Sequence, residues 1–147
     1  PEVGRILALK EADIVCHCGA LPIKQETDIP NYWRQMTGMW PQVQQNQFFC
    51  VESQLVSTIA GQHFRGSSFI LAPCEMTGNK SGFLARGGPG PPDEPPREKL
   101  SREELTPEIV EANLDFKARE RVIKNYPLLK LLNPAAYRPL QCPKGQD

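Results

Sequence analysis

No stretch of this 147-residue sequence approaches the ~20 consecutive apolar residues that a membrane-spanning helix requires. Excess charge of either sign is missing as well: 17 Lys and Arg stand against 17 Asp and Glu. The balance holds locally, with 6 basic and 7 acidic residues up to Lys80 and 11 and 10 beyond it. Without a basic patch, no counterion-release term favours nucleic acid. The aromatic–basic runs "YWRQ" and "HFR" come without an RNP-like motif and read as core and turn. The glycines of 78–82 and 87–90 match neither phosphate-binding fingerprint. A disulfide scaffold also lacks support, because five cysteines at 16, 18, 50, 74 and 142 are odd in number and irregularly spaced. They read as reduced thiols in an intracellular compartment. The N-terminus carries neither a signal-peptide nor a transit-peptide pattern. Pro1 fits a chain that lost its initiator Met and fits equally the end left by a cleaved targeting segment.

What is abundant is proline, with 15 residues, twice the usual share. Hydrophobic residues make up 39% and concentrate in 6–15, 33–60, 69–72 and 109–132, so a small core is expected. Segment 2–10 suits a short helix or a strand. "DIVCHC" at 13–18 is a β run bounded by Gly19 and Pro22, and a hairpin of 5–10 with 13–18 is expected. Residues 20–30 read as a loop. Residues 31–39 read as one or two helical turns capped by Asn31, with Trp33 and Trp40 as buried anchors. Over 44–61, Phe48, Val51, Leu55 and Ile59 recur at helical spacing, and Gly61 stands where a C′ glycine would end a helix. That spacing predicts a helix, although Val56, Thr58 and Ile59 favour a strand at its far end.

"SSFILAPC" predicts a short strand and "TGNKSG" a turn. "GGPGPPDEPP" at 87–96 can be neither helix nor central strand, because proline removes backbone donors and restricts the residue before it. Beyond it, 106–125 predicts a long helix, with Thr106 as cap and Pro107 at its first position. Acidic residues there sit early and basic ones late, as the helix dipole prefers. "YPLLKLLN" reads as an apolar turn or short helix stopped by Pro134.

The densest chemistry is Cys16-His17-Cys18. In a strand both sulfurs face one side and the imidazole the other, so the triplet delivers at most two thiolates to one ion. Their Cα atoms would stand about 6.6 Å apart, too far for an unstrained disulfide. A zinc site would need Cys50 and Cys74 to join Cys16 and Cys18, without the second Cys-x₂₋₄-Cys knuckle that structural zinc sites usually show. Small buried hydrophobes is the simpler reading of these thiols. Cys50 with His63 could form a thiol–imidazole pair, but an apolar setting for Cys50 would raise its pKa and make it inert.

The expected fold class is α+β. A small α+β domain spans 1–86 (a β-hairpin, one or two helices, a short strand), a Pro/Gly-rich linker spans 87–100, and a helical and extended interaction arm spans 101–147. The arm has too little apolar surface for its own core, so it is expected to gain order by lying on neighbouring subunits. Its contacts would be Ile109, Leu114, Phe116, Ile123, Tyr126, Leu128, Leu129, Leu132 and Tyr137. This layout resembles, in style and without a shared motif, the accessory subunits of mitochondrial respiratory complexes and mitochondrial ribosomes. The resemblance implies a non-catalytic structural subunit without cofactor, bound to other proteins of a respiratory-type, electron-transport assembly in the mitochondrion. Balanced charge favours that over a mitochondrial ribosomal protein. The alternatives are a zinc-binding module using Cys16, Cys18, Cys50 and Cys74, and a small thiol enzyme using Cys50.

Overall fold

The computed structural model describes residues 2–20, 22–23, 38–78, 80–88, 90–94, 106–133 and 135. In chain order the elements are α1 (Glu2–Leu9), β1 (Ile14–Gly19), β2 (Pro22–Ile23), α2 (Met39–Asn46), β3 (Phe49–Gln54), β4 (Val56–Ile59), β5 (Gln62–Arg65), β6 (Phe69–Leu71), β7 (Phe83–Arg86) and α3 (Phe116–Asn125). Short 3₁₀ turns follow β6 at Cys74–Met76 and α3 at Leu128–Leu131. The architecture is mixed α+β, as the pattern of sequence elements implied. No helix among the described residues is long and apolar enough to cross a membrane.

Strands β1, β3, β6 and β7 form one sheet in that order, and β2, β5 and β4 form a smaller one. β1 runs parallel to β3, while the β3–β6 and β6–β7 pairs are antiparallel. A parallel pair cannot be closed by a tight turn. The return to β3 runs through α2, which ends at Gln47 in a left-handed conformation (φ 59°), its N–H bonded to the Val43 carbonyl. That sharp exit places Phe48 and Phe49 at once in the interior. Phe48, Cys50, Phe69, Leu71 and Phe83 then build the core with Val43 of α2 and Ala8 of α1. The ring of Phe69 meets Phe83 edge-on at 5.6 Å.

Four expectations are corrected here. Residues 5–10 do not pair with 13–18 as a hairpin. They belong to α1, whose buried small residues Gly4 and Ala8 lie one turn apart and let it approach α2. The periodic run over 44–60 is not one helix. It splits into the end of α2, β3 and β4, and Ala60 and Gly61, both left-handed (φ 51° and 75°), turn β4 into β5. Two successive left-handed residues are what a tight hairpin turn requires. The helix predicted from 106 begins only at Phe116, capped by Asp115, whose Oδ1 accepts the Ala118 N–H at 2.8 Å. Finally, the contacts of α3 are with this chain's own first half. Phe116 packs edge-on against Phe49 at 5.3 Å, and Val122 is buried. The Arg119 guanidinium donates to the Gln47 carbonyl and to Asp13 Oδ1. Gln47 Nε2 in turn donates to the Tyr126 carbonyl at 2.7 Å.

The segment after β7 is tied back too. Arg86, itself buried, donates to the carbonyls of Gly87, Gly88 and Glu94. Among the expected arm contacts, Leu129 packs against the core, Leu114, Ile123 and Leu132 are half-buried, and Ile109, Tyr126 and Leu128 are exposed. Tyr137, Cys142, Asn31 and Trp33 lie outside the described residues.

Because α3 shares the core, removing its contact should cost global stability rather than release a separate arm. Phe116→Ala is expected to cost about 2 kcal/mol in urea unfolding, with one transition for the whole chain. A variant in which 106–133 becomes protease-sensitive while the midpoint of the sheet stays put would contradict the shared core.

Candidate active-site cleft

A cleft of about 440 Å³ opens where the carboxyl ends of β1 and β3 meet the loop before β6. Its lining includes Cys18, Gln54, Leu55, Ser67, Thr106 and Glu108. In open sheets with parallel strands, ligands bind in the crevice beyond the strands' carboxyl ends. Backbone bonds hold the rim: the Leu55 N–H donates to the Gly19 carbonyl at 3.0 Å, and the Gly66 N–H to the Leu55 carbonyl at 2.8 Å. The Gln54 N–H donates to Ser68 Oγ at 3.0 Å. Gly66 needs to be glycine twice over. Its φ is 68°, and a Cβ there would press into the Val56 side chain.

Beneath the rim runs a polar ladder set by strand register. His17 pairs with Glu52, and Gly19 with Gln54. Glu52 is buried, with its Oε2 3.4 Å from His17 Nδ1 and its Oε1 accepting from Gln54 Nε2. Gln54 lies over Gly19, where a Cβ would collide with its amide. Burial pushes the Glu52 carboxyl above its ordinary value and outweighs the opposing pull of the Gln54 hydrogen bond and of His17.

The cysteines named from sequence are not brought together. Register puts Cys16 and Cys18 beside Val51 and Ser53 on one face, both exposed. Cys50 points to the other face, within the core. Burial pushes its thiol well up, followed by the nearby Glu52 carboxylate. Cys74 starts the 3₁₀ turn after β6, its N–H bonded to Gln44 Oε1 at 2.7 Å and its thiol raised by burial. No group of three or more His, Cys, Asp or Glu side chains among the described residues is placed to hold a metal ion. His63 sits in the other sheet from Cys50, opposite Thr58, with 2.6 Å between Nδ1 and the Thr58 hydroxyl. That exposed cross-strand pair lies outside the cleft lining.

The residues that shape the cleft and its floor, Glu52, Gln54, Ser67 and Glu108, were not singled out from sequence. One signal was available. Charged Glu52 interrupts the apolar run "FFCVESQLV", and in a strand it falls on the buried face of Cys50 and Gln54.

No protein-family model matches the sequence, and no curated protein matches it. The fold does have a solved counterpart. A carbon–nitrogen hydrolase from Helicobacter pylori G27 superposes with a TM-score of 0.65 at 20% identity, over 97% of this chain. The chain spans 45% of that hydrolase's length. The likeness corrects the functional expectation. The counterpart is an enzyme, which points away from a non-catalytic accessory subunit, and nothing in it supports a mitochondrial, respiratory-chain or electron-transport role.

The raised pKa of Glu52 has a stability consequence. Below the ordinary carboxyl value of 4.5, folded and unfolded chains are both protonated at this site. As pH climbs past it, the unfolded chain releases the proton first, so Glu52's contribution to stability is lost with rising pH. The urea midpoint of the native sequence should therefore fall towards neutral pH relative to Glu52→Gln. A native midpoint that holds level with that of Glu52→Gln, or rises against it, as pH increases would contradict the buried carboxyl.

Proposed function

We propose that this chain forms part of an enzyme domain that hydrolyses carbon–nitrogen bonds, with substrate seated at the carboxyl ends of β1 and β3. The observation that carries the reading is the fold likeness to a carbon–nitrogen hydrolase along nearly the whole chain. The position of the cleft supports it, since that is where such a sheet offers backbone groups and side chains to a ligand. In the reaction water adds across the bond. The carbon–nitrogen bond breaks, a carbon–oxygen bond forms, and the nitrogen leaves as amine or ammonia carrying a proton.

What this chain contributes is the cleft wall and its support. Among the described residues, no hydrogen bond joins a thiol or hydroxyl of the cleft to a histidine or carboxylate that could act as base. The reacting groups are therefore assigned outside the described residues, the rest of the hydrolase fold included. β1 marks where that part would join. Among the described residues it is an outer strand of its sheet, and parallel strands are normally covered on both faces while an open edge invites pairing. In the helix just before it, Val3, Ile6 and Leu9 of α1 stand 72%, 52% and 57% exposed, and Ile14 of β1 is exposed as well.

The native protein that carries this chain should release ammonia or amine from one class among aliphatic amides, ureas and nitriles, in step with carboxylate from an amide (one water) or a nitrile (two waters) and with carbamate from a urea. Ser53→Trp places a bulky ring on an exposed position of the cleft wall and should lower kcat/KM by about tenfold or more. Absence of nitrogen release from all three classes would remove the hydrolase reading.

A further inference from the structure

We propose that the cleft recognises an aliphatic amino-amide, holding a protonated amine at Glu108 and a carbonyl oxygen at the Ser67 hydroxyl; this rests on the reading that the cleft takes substrate. Ser67 is the telling residue. It lines the cleft, is 8% exposed, and adopts a left-handed conformation at φ 65° directly after left-handed Gly66. Its Oγ is buried and has no hydrogen-bond partner among the described residues. Both features cost the free chain stability, because a non-glycine residue is strained at such φ and an unmade buried hydrogen bond forfeits its water. Glycine would remove both costs. A serine that remains there is explained by a ligand acceptor for its O–H.

Glu108 supplies the charge. It carries the only formally charged side chain among the described residues of the lining. Its Oε1 accepts the Gly88 N–H, which fixes the carboxylate while leaving lone pairs for another donor. No lysine or arginine among those lining residues competes for it, so a cationic N–H group is favoured over an anion. Leu55, Val56 and Pro107 give the same cleft apolar wall for an aliphatic spacer.

The probe is β-alaninamide, titrated into the native full chain while the backbone amides of Gly19, Leu55 and Gly66 are followed by NMR. Propionamide lacks the ammonium and propylammonium lacks the carbonyl. Saturable binding of β-alaninamide is expected, weakened about tenfold by Glu108→Gln, which should leave propionamide unaffected. Ser67→Gly should weaken both β-alaninamide and propionamide about fivefold, leave propylammonium unaffected, and raise the thermal midpoint. No saturable binding, equal binding of all three probes, or a Ser67→Gly variant that binds normally would each overturn the proposal. A lowered midpoint in Ser67→Gly would do the same, since it would make the serine structural. The expected binding pattern in a protein that releases no nitrogen would end the hydrolase reading alone. Nitrogen release with indifference to the ammonium would end this recognition alone.

Discussion

The parallel register of β1 against β3 is the constraint on which the rest of the structure depends. It sets His17 beside Glu52 and Gly19 beside Gln54, and so fixes both the buried carboxyl and the rim of the cleft. A slip of one residue would invert every side chain of β1. Cys16 or Cys18 would then face Glu52, and a buried carboxyl would lose its imidazole. The crossing that parallel pairing demands also explains Gln47. A left-handed residue there ends α2 abruptly, and its side chain and carbonyl then serve as the anchor for Tyr126 and Arg119. One turn thus joins the helix, the sheet and the C-terminal third.

The two faces of β3 divide the work. Cys50 lies with Val43 and Ala8 on the helical side, in a dry core, while Phe49 points the other way to the ring of Phe116. Without α3, the second face would expose an aromatic at the centre of the sheet. That is the physical reason the C-terminal helix belongs to this core, although the sequence between them is proline-rich and carries little apolar surface.

Legibility in the sequence followed how local the deciding force was. "DIVCHC" and "SSFILAPC" were readable as strands because short apolar runs bounded by glycine and proline need no distant partner to be recognised. The run from Phe48 to Ile59 was not, because its residues satisfy two periods at once. Phe48, Val51, Leu55 and Ile59 fit a helix, whereas burial of Cys50, Glu52 and Gln54 on one face belongs to a strand. Tertiary packing chose the second. The cap signal at Thr106 and Pro107 was sound helix chemistry, but Asp115 is the residue that caps α3, and Glu108 is engaged instead with Gly88. The cleft was illegible for the same reason: Cys18, Gln54, Ser67 and Glu108 come from separate parts of the chain and meet only through β1–β3 pairing and the return of 106–108.

The finished and unfinished sides of the sheet differ in kind. At the end of β7, Arg86 donates to the carbonyls of Gly87, Gly88 and Glu94, so the chain leaving that strand is held against it. At β1, the thiols of an outer strand face solvent, and the helix just before it in the chain exposes apolar side chains. The cleft lies at the end of that open strand and contains the hydroxyl that lacks a partner. On the proposed reading, whatever covers β1 also walls the cleft, and a ligand that satisfies Ser67 binds only the folded arrangement. Completion of the sheet, filling of the cleft and stability of the chain are then linked equilibria, each raising the others by mass action.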